Sequence, residues 1–267
     1  MRAKPLVDRV AVVTGVSRRL GIAASTVTEL LEAGAAVYAT GWPNHDAEQP
    51  WGLADGETQE LLEEWAATGE IHWEASDLAE AEAPRTIVNA ARQRFGAVDF
   101  VAAVHARSSH QALAEVTAAE LDACWATNAR SCVLLAQAFA ELFDAERGHG
   151  ALVLFTSGQH IGPMSDEIAY AVSKGAIHQM THSLSDALID RGITVNCVNP
   201  GPVDTGWLDG ELHEQVASMF PSGRWGQPAD IARIVRWLCT QDAAWLTGQI
   251  LDAEGGFRRW ASLDRFD

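Results

Sequence analysis

Val10-Ala11-Val12-Val13-Thr14-Gly15-Val16-Ser17-Arg18-Arg19-Leu20-Gly21-Ile22-Ala23 is the stretch on which the fold turns. Four consecutive apolar residues, three of them valine, predict a short strand buried on both faces. Gly15 and Gly21 then open a turn. Ile22, Val27, Leu30 and Leu31 recur at helical spacing up to about Ala33, with Gly34 as the stop. A strand, a glycine turn and a helix N-terminus in this order let backbone amides approach a phosphate group.

The same alternation runs on through the chain. A second strand, Ala36–Thr40, ends at Gly41-Trp42, and a loop holding Trp, Pro and Gly reaches Gly56. A helix over about 57–67 leads to a third strand ending at Ser76-Asp77-Leu78. A helix over about 85–95 precedes a fourth strand, 99–104. One long helix is expected over 121–143, a fifth apolar run at Ala151–Phe155, and a helix through Lys174 to about Asp190. The sixth strand covers 192–198, and the last follows Gln249 and ends near Glu254. Short apolar runs alternating with helices predict one α/β domain over residues 1–267, with a doubly wound parallel sheet flanked by helices.

Composition narrows the function classes. At 267 residues and 48% hydrophobic, the chain can bury a sizeable core. A formal net charge of −17 argues against nucleic acid and against anionic membrane surfaces as partners. No apolar run approaches the ~18–20 residues that span a bilayer. The segment Met1-Arg2-Ala3-Lys4-Pro5-Leu6 lacks the apolar core of a secretion signal. Cys124, Cys132, Cys197 and Cys239 show neither metal-ligand nor redox spacing, which predicts reduced core thiols and a cytoplasmic protein. His178 and His182 stand four apart, a spacing that can bind zinc, but no third ligand accompanies them, so no metal site is expected.

A second stretch carries the chemistry. Ser157 follows the run Ala151-Leu152-Val153-Leu154-Phe155, and Tyr170 and Lys174 lie four apart on one helix face. A phenol with a pKa of about 10 is a poor acid or base at neutral pH. An ammonium beside it favours the phenolate and draws that pKa toward the working range. The chain has two tyrosines, Tyr38 and Tyr170, and two lysines, Lys4 and Lys174, with arginine at its other cationic positions. A compact ammonium is thus singled out where a planar fork would do different work.

Ser157, Tyr170 thirteen residues later and Lys174 four beyond it resemble the signature of the short-chain dehydrogenase/reductase family, in its compact, ketoacyl-carrier-protein-reductase-like branch. The resemblance runs over roughly residues 7–257 and implies a Rossmann fold. It implies that Tyr170 is the acid/base, Ser157 the donor to the substrate oxygen, and Lys174 both the pKa tuner and a ligand of the nicotinamide ribose. Asn128, in Trp125-Ala126-Thr127-Asn128, would hold a water linking the lysine to bulk proton exchange. Gly15, Ser17, Arg18, Arg19, Gly21 and Ile22 would cradle the pyrophosphate, Asp77 and Leu78 would border the adenine, and Pro200, Gly201, Val203 and Thr205 the nicotinamide amide. Residues 206–222 look like a substrate lid, with Trp207, His160 and Met164 as substrate contacts. The tail 257–267 extends past the shared fold toward a neighbouring subunit of a homotetramer or homodimer.

The chain departs from the family at two places. Its glycine turn is two residues longer than the pattern Thr-Gly-x3-Gly-x-Gly, with Ala23 at the third glycine position. Ala103-Val104-His105-Ala106 stands where the family reads Asn-Asn-Ala-Gly, so the side chains that brace the central sheet are missing, and His105 is expected as a packing histidine near the cofactor.

Cofactor choice follows from side chains at the end of the second strand. Gly41 offers no carboxylate for a ribose diol, which would mark NAD. Arg18 and Arg19 are the cations available to a 2′-phosphate, with Trp42 stacking on adenine. NADP(H) is therefore expected over NAD(H). The expected activity is hydride transfer between nicotinamide and a small carbonyl or secondary alcohol. A nucleotide-binding sensor without efficient turnover is the rival from another class; the altered turn and Ala103-Val104 favour it, and intact Asn128, Ser157, Tyr170 and Lys174 oppose it.

Overall fold

The computed structural model describes residues 4–259. Seven strands, β1 Val10–Thr14, β2 Ala36–Gly41, β3 Ile71–Ala75, β4 Phe100–Ala103, β5 Gly150–Phe155, β6 Ile193–Asn199 and β7 Ile250–Asp252, form one sheet. Every pairing is parallel, in the order β3-β2-β1-β4-β5-β6-β7. The helices are α1 Ile22–Glu32, α2 Pro43–Glu48, α3 Glu57–Ala66, α4 Ala83–Phe95, α5 Ala118–Cys124, α6 Ser131–Leu142, α7 Ile168–Ile189, α8 Gly210–Ser218 and α9 Pro228–Leu238.

Side-chain alternation explains why the strands are apolar throughout. In β1, Ala11 and Val13 enter the core beneath α1, α3 and α9, beside Val27, Leu30, Trp65 and Val235. Val12 enters the opposite core beneath α4, α6 and α7, beside Ile87, Leu135, Phe139 and Ile177. A strand covered on both faces has no solvated side, so polar alternation never develops. The four cysteines are free and buried. Among the described residues, no helix is long and apolar enough to cross a membrane.

Strand order reverses between β1 and β4, whose onward connections leave in opposite directions. That divergence opens a crevice at the C-terminal ends of the strands. Two elements differ from the sequence expectation. The loop 42–56 contains α2, started by Pro43 at a first-turn position where proline needs no N–H partner. The helix expected over 121–143 is interrupted by a π turn, Trp125–Arg130, between α5 and α6. The wide turn is stabilised by contacts that periodicity does not report, because Asn128 inside it bonds to a separate loop. Of the tail expected over 257–267, residues beyond 259 lie outside the described residues.

Candidate active site

A cleft of about 890 Å³ occupies the crevice. Gly15, Ser17, Arg18, Gly21, Ile22, Trp42, Asp77 and Leu78 line one part of it, and Ser157, Met164, Tyr170, Gly201, Val203, Thr205 and Trp207 another. Most of the residues singled out in the sequence thus converge on one cavity, although they are spread over nearly two hundred positions.

Ser157 lies just past β5, where its N–H donates to Gln159 Oε1 at 3.1 Å. Tyr170 stands in the first turn of α7, half-buried, and Lys174 one turn further on is 2% exposed. Lys174 Nζ donates to the Phe155 carbonyl at 2.9 Å and lies 5.6 Å from the Tyr170 ring centroid. Burial lowers the pKa of this lysine, partly opposed by the Cys132 and Cys197 thiols around it. Burial also pushes the Tyr170 phenol up to about 12, with a smaller opposite pull from the Ser157 hydroxyl. The lowering of the phenol by Lys174 expected from their spacing does not prevail here. Burial outweighs the ammonium 5.6 Å from the ring centroid, so desolvation wins. A phenol in that state keeps its proton through the neutral range and is poised to donate it.

Behind this pair lies a polar hub. Asn128 is fully buried; its Oδ1 accepts from Arg107 N at 2.6 Å, and its Nδ2 donates to Arg107 O at 3.1 Å and Ser173 Oγ at 2.9 Å. Both amide hydrogens are therefore engaged in holding the β4–α5 loop to α7, and the side chain makes no direct bond to Lys174. The bracing absent at Ala103-Val104 is supplied by His105. Its Nδ1 is 2.6 Å from Thr14 Oγ1, at the end of β1, and its Nε2 is 3.0 Å from Thr127 O and 2.8 Å from Ser131 Oγ. A carbonyl can only accept, so Nε2 carries the proton and Nδ1 accepts from the threonine hydroxyl. Burial, and then the charge of Lys174, push His105 down to about 3. Gly15, at φ +82°, packs on the His105 backbone so closely that an added Cβ would lie 2.8 Å from its Cα. The histidine and the glycine turn fit as one unit.

The nucleotide part of the cleft suits a dinucleotide. Gly21 caps α1 without any side-chain bond, and Gly21, Ile22 and Ala23 border the cavity, so the first amides of an 11-residue helix face it unfilled. Gly41 carries no carboxylate for a packing reason: a Cβ there would come within 2.7 Å of the Val16 carbonyl carbon. Asp46, on α2, was not anticipated. Its carboxylate accepts from the Ser17 hydroxyl and from Trp51 Nε1 at 3.1 Å, and sits 3.4 Å from Arg18 Nε. Arg18 reaches across to Thr205 O at 2.8 Å and lies over Trp51 at 5.2 Å. Arg19, expected beside it, turns away onto α3, pairing with Glu64 at 2.7 Å and Glu60 at 3.8 Å. Pro200 lies outside the cavity lining, whereas its neighbours Gly201 and Val203 are within it.

At the substrate part, α8 lies within the expected lid. Trp207 Nε1 donates to Val203 O at 3.1 Å, and its ring meets buried Trp225 edge-on at 5.4 Å. His160, expected to face substrate, points elsewhere. It contacts Asp252 at 3.0 Å and packs against His178 at 4.6 Å, outside the cavity lining. Arg259 and Phe257 do line the cavity and were missed, because nothing in a tail sequence says where it folds back.

Comparison with known proteins places the fold in one family. A family model described as enoyl-(acyl carrier protein) reductase matches residues 15–258. The uncharacterized oxidoreductase YjdA of Bacillus subtilis is 36% identical over 255 residues, covering 94% of this chain and 98% of its own. A short-chain dehydrogenase/reductase from Serratia marcescens has a TM-score of 0.83 at 29% identity, covering 95% of this chain and 99% of its own. The angucycline C-6 ketoreductase LanV, solved with bound NADP, has a TM-score of 0.83 at 28% identity, covering 96% and 97%.

Proposed function

The chain belongs to the short-chain dehydrogenase/reductase family, and on that premise we propose that it is an NADP-preferring reductase of a small carbonyl compound, with Tyr170 as its proton donor. The observation that carries this reading is the placement of Ser157 and Tyr170 on one cleft with Lys174 sealed behind them. When bound, a nicotinamide cofactor supplies the hydride. Uncapped α1 amides, Ser17 and Arg18 would hold its phosphates, and Gly201, Val203 and Thr205 would border its nicotinamide.

The chain's own residues do the rest. Ser157 donates to the substrate oxygen and orients the carbonyl. Tyr170, protonated at neutral pH, passes its hydroxyl proton to that oxygen as negative charge develops on it. Lys174, bonded to Phe155 O, fixes the α7 turn that carries Tyr170 against the end of β5. Asn128 holds the β4–α5 loop in register with the same helix.

The NADP preference rests on Arg18, the member of the Arg18–Arg19 pair that lines the cleft, and is supported by the NADP-bound ketoreductase of similar structure. Asp46 opposes it, since a 2′-phosphate must share the guanidinium with that carboxylate. Association into a homotetramer in the cytoplasm belongs to the same proposal. The exposed apolar side chains Trp125, Val133 and Val172 on the α5–α7 side of the fold support it. Assay of purified protein with a panel of ketones and alcohols, following NADPH and NADH absorbance, tests the activity. Turnover of none of them would refute it.

A further inference from the structure

The turn Glu254–Phe257 reverses the chain after β7. Gly255 and Gly256 take left-handed φ values of 59° and 77°, and Phe257 N donates to Glu254 O at 3.0 Å. The next residues run back over the substrate part of the cleft. The Phe257 ring packs against Phe220 of the lid at 4.9 Å, and Arg258 N donates to Met219 O at 3.0 Å.

Arg259 follows, and its guanidinium rests on Gly158, the residue after Ser157. A Cβ at position 158 would lie 2.6 Å from the guanidinium carbon, so in this pose the arginine occupies the space that a side chain there would take. Glu254 Oε1 accepts from Arg259 Nη2 and also from Asn199 Nδ2 at 2.9 Å, while the Phe257 ring lies 5.2 Å beneath the guanidinium. The side chain is 21% exposed and that of Glu254 11%. Arg259 Nη1 makes no hydrogen bond among the described residues. Arg107, also in the cavity lining, is by contrast closed on Glu120 by two bonds of 3.0 and 2.9 Å.

A fork anchored on one nitrogen and packed on an aromatic face is held in place before any substrate arrives. It keeps a donor edge beside the serine that would hold the reacting carbonyl. Its charge is balanced by Glu254, so the edge offers hydrogen bonds rather than net positive potential, and a further carboxylate would meet repulsion from Glu254. Resting on the carbonyl-reductase reading, we propose that Arg259 is a specificity residue. It donates to a second, uncharged oxygen acceptor on the substrate, so the pocket takes a diketone or keto ester in preference to a simple ketone or a keto acid.

The test is kcat/KM for a matched set: a keto ester, the ketone with alkyl in place of the ester, and the keto acid. It is measured on the wild type, Arg259→Met and Arg259→Lys. The wild type should favour the ester. Arg259→Met should lower kcat/KM for the ester by about tenfold or more, the worth of a charge-assisted hydrogen bond. Ketone turnover should stay essentially unchanged, and Arg259→Lys should restore part of the loss. Glu254→Gln should raise the keto acid relative to the ester. An ester-to-ketone ratio that does not move in Arg259→Met, or a wild type that prefers the ketone or the acid, would overturn the inference and leave carbonyl reduction standing. If Arg259→Met does not fold, the ratio in Arg259→Lys decides. Absence of any carbonyl turnover in the wild type would overturn both.

Discussion

Lys174 Nζ lies 5.6 Å from the ring centroid of Tyr170 while donating to the Phe155 carbonyl at 2.9 Å. The ammonium is thus hydrogen-bonded to the backbone at the end of β5 and lies close to the Tyr170 ring. Burial keeps the proton on the phenol, and the bond from Lys174 to Phe155 O ties α7 to the strand that precedes Ser157.

Tyr170→Phe retains the ring and its packing but removes the transferable proton. Turnover should fall by ~10² or more, the usual scale of general acid–base catalysis. Cofactor binding, followed by fluorescence titration, should persist. Near wild-type turnover in this variant would exclude Tyr170 as the donor.

The pH profile should separate the two directions of reaction. With Tyr170 pushed up to about 12, the acid form prevails at all ordinary pH, so carbonyl reduction should be flat from about pH 6 to 9. Alcohol oxidation needs the phenolate and should rise about tenfold per pH unit over the same range. An oxidative plateau starting near neutrality would show that the loaded enzyme lowers this pKa and that the free-enzyme value does not govern catalysis.

His105 should make stability acid-sensitive. Its folded pKa of about 3 lies below its ordinary value of 6.5. Above pH 6.5 both folded and unfolded forms are neutral and its contribution is complete. Between 6.5 and 3 the unfolded chain takes up a proton that the native site refuses. Stability should therefore be lost as pH falls, by up to about 1.4 kcal/mol per pH unit. His105→Leu should be less stable at pH 7.5, since Thr14 loses its partner, yet show a shallower decline in thermal melts between pH 7 and 5. Parallel declines in both proteins would remove His105 as the cause.

Cofactor choice should respond to Arg18 and not to Arg19. A charge-assisted contact is worth roughly 1.5–3 kcal/mol, hence about ten- to a hundredfold in affinity. NADPH should exceed NADH by at least about tenfold in kcat/KM, and Arg18→Ala should erode that margin. Arg19→Ala should leave it unchanged, because Glu60 and Glu64 hold that side chain on α3. Asp46→Asn should widen the margin by freeing Arg18. Equal binding of NADH and NADPH by the wild type would defeat the preference.

Trp207 presents a half-exposed indole to the cleft while anchored through Val203 O and Trp225. Trp207→Ala should raise KM for bulky apolar substrates more than for small ones. Equal changes across a size series would place the indole outside the pocket.

Local patterning was enough for the sheet. Strands buried on both faces must be apolar throughout, and helices covering them must be amphipathic, so β1, α1 and their successors were readable from residue type and spacing alone. Helix pitch put Tyr170 and Lys174 on one face, whereas the grouping of Ser157 with them came from the resemblance to the family. What a side chain meets across the fold has no local signature. His105 substitutes for the missing sheet brace only because Thr14 and Ser131 arrive from other elements. Arg18 and Arg19 are neighbours in sequence, yet backbone direction sends one into the cleft and the other onto α3. The π turn around Asn128, Asp46 on a short helix in a presumed loop, and Arg259 folding back over Gly158 all depend on contacts between segments distant in sequence. The protonation state of Tyr170 belongs with them: spacing placed the lysine on its face of the helix, but burial decided which way the phenol shifts.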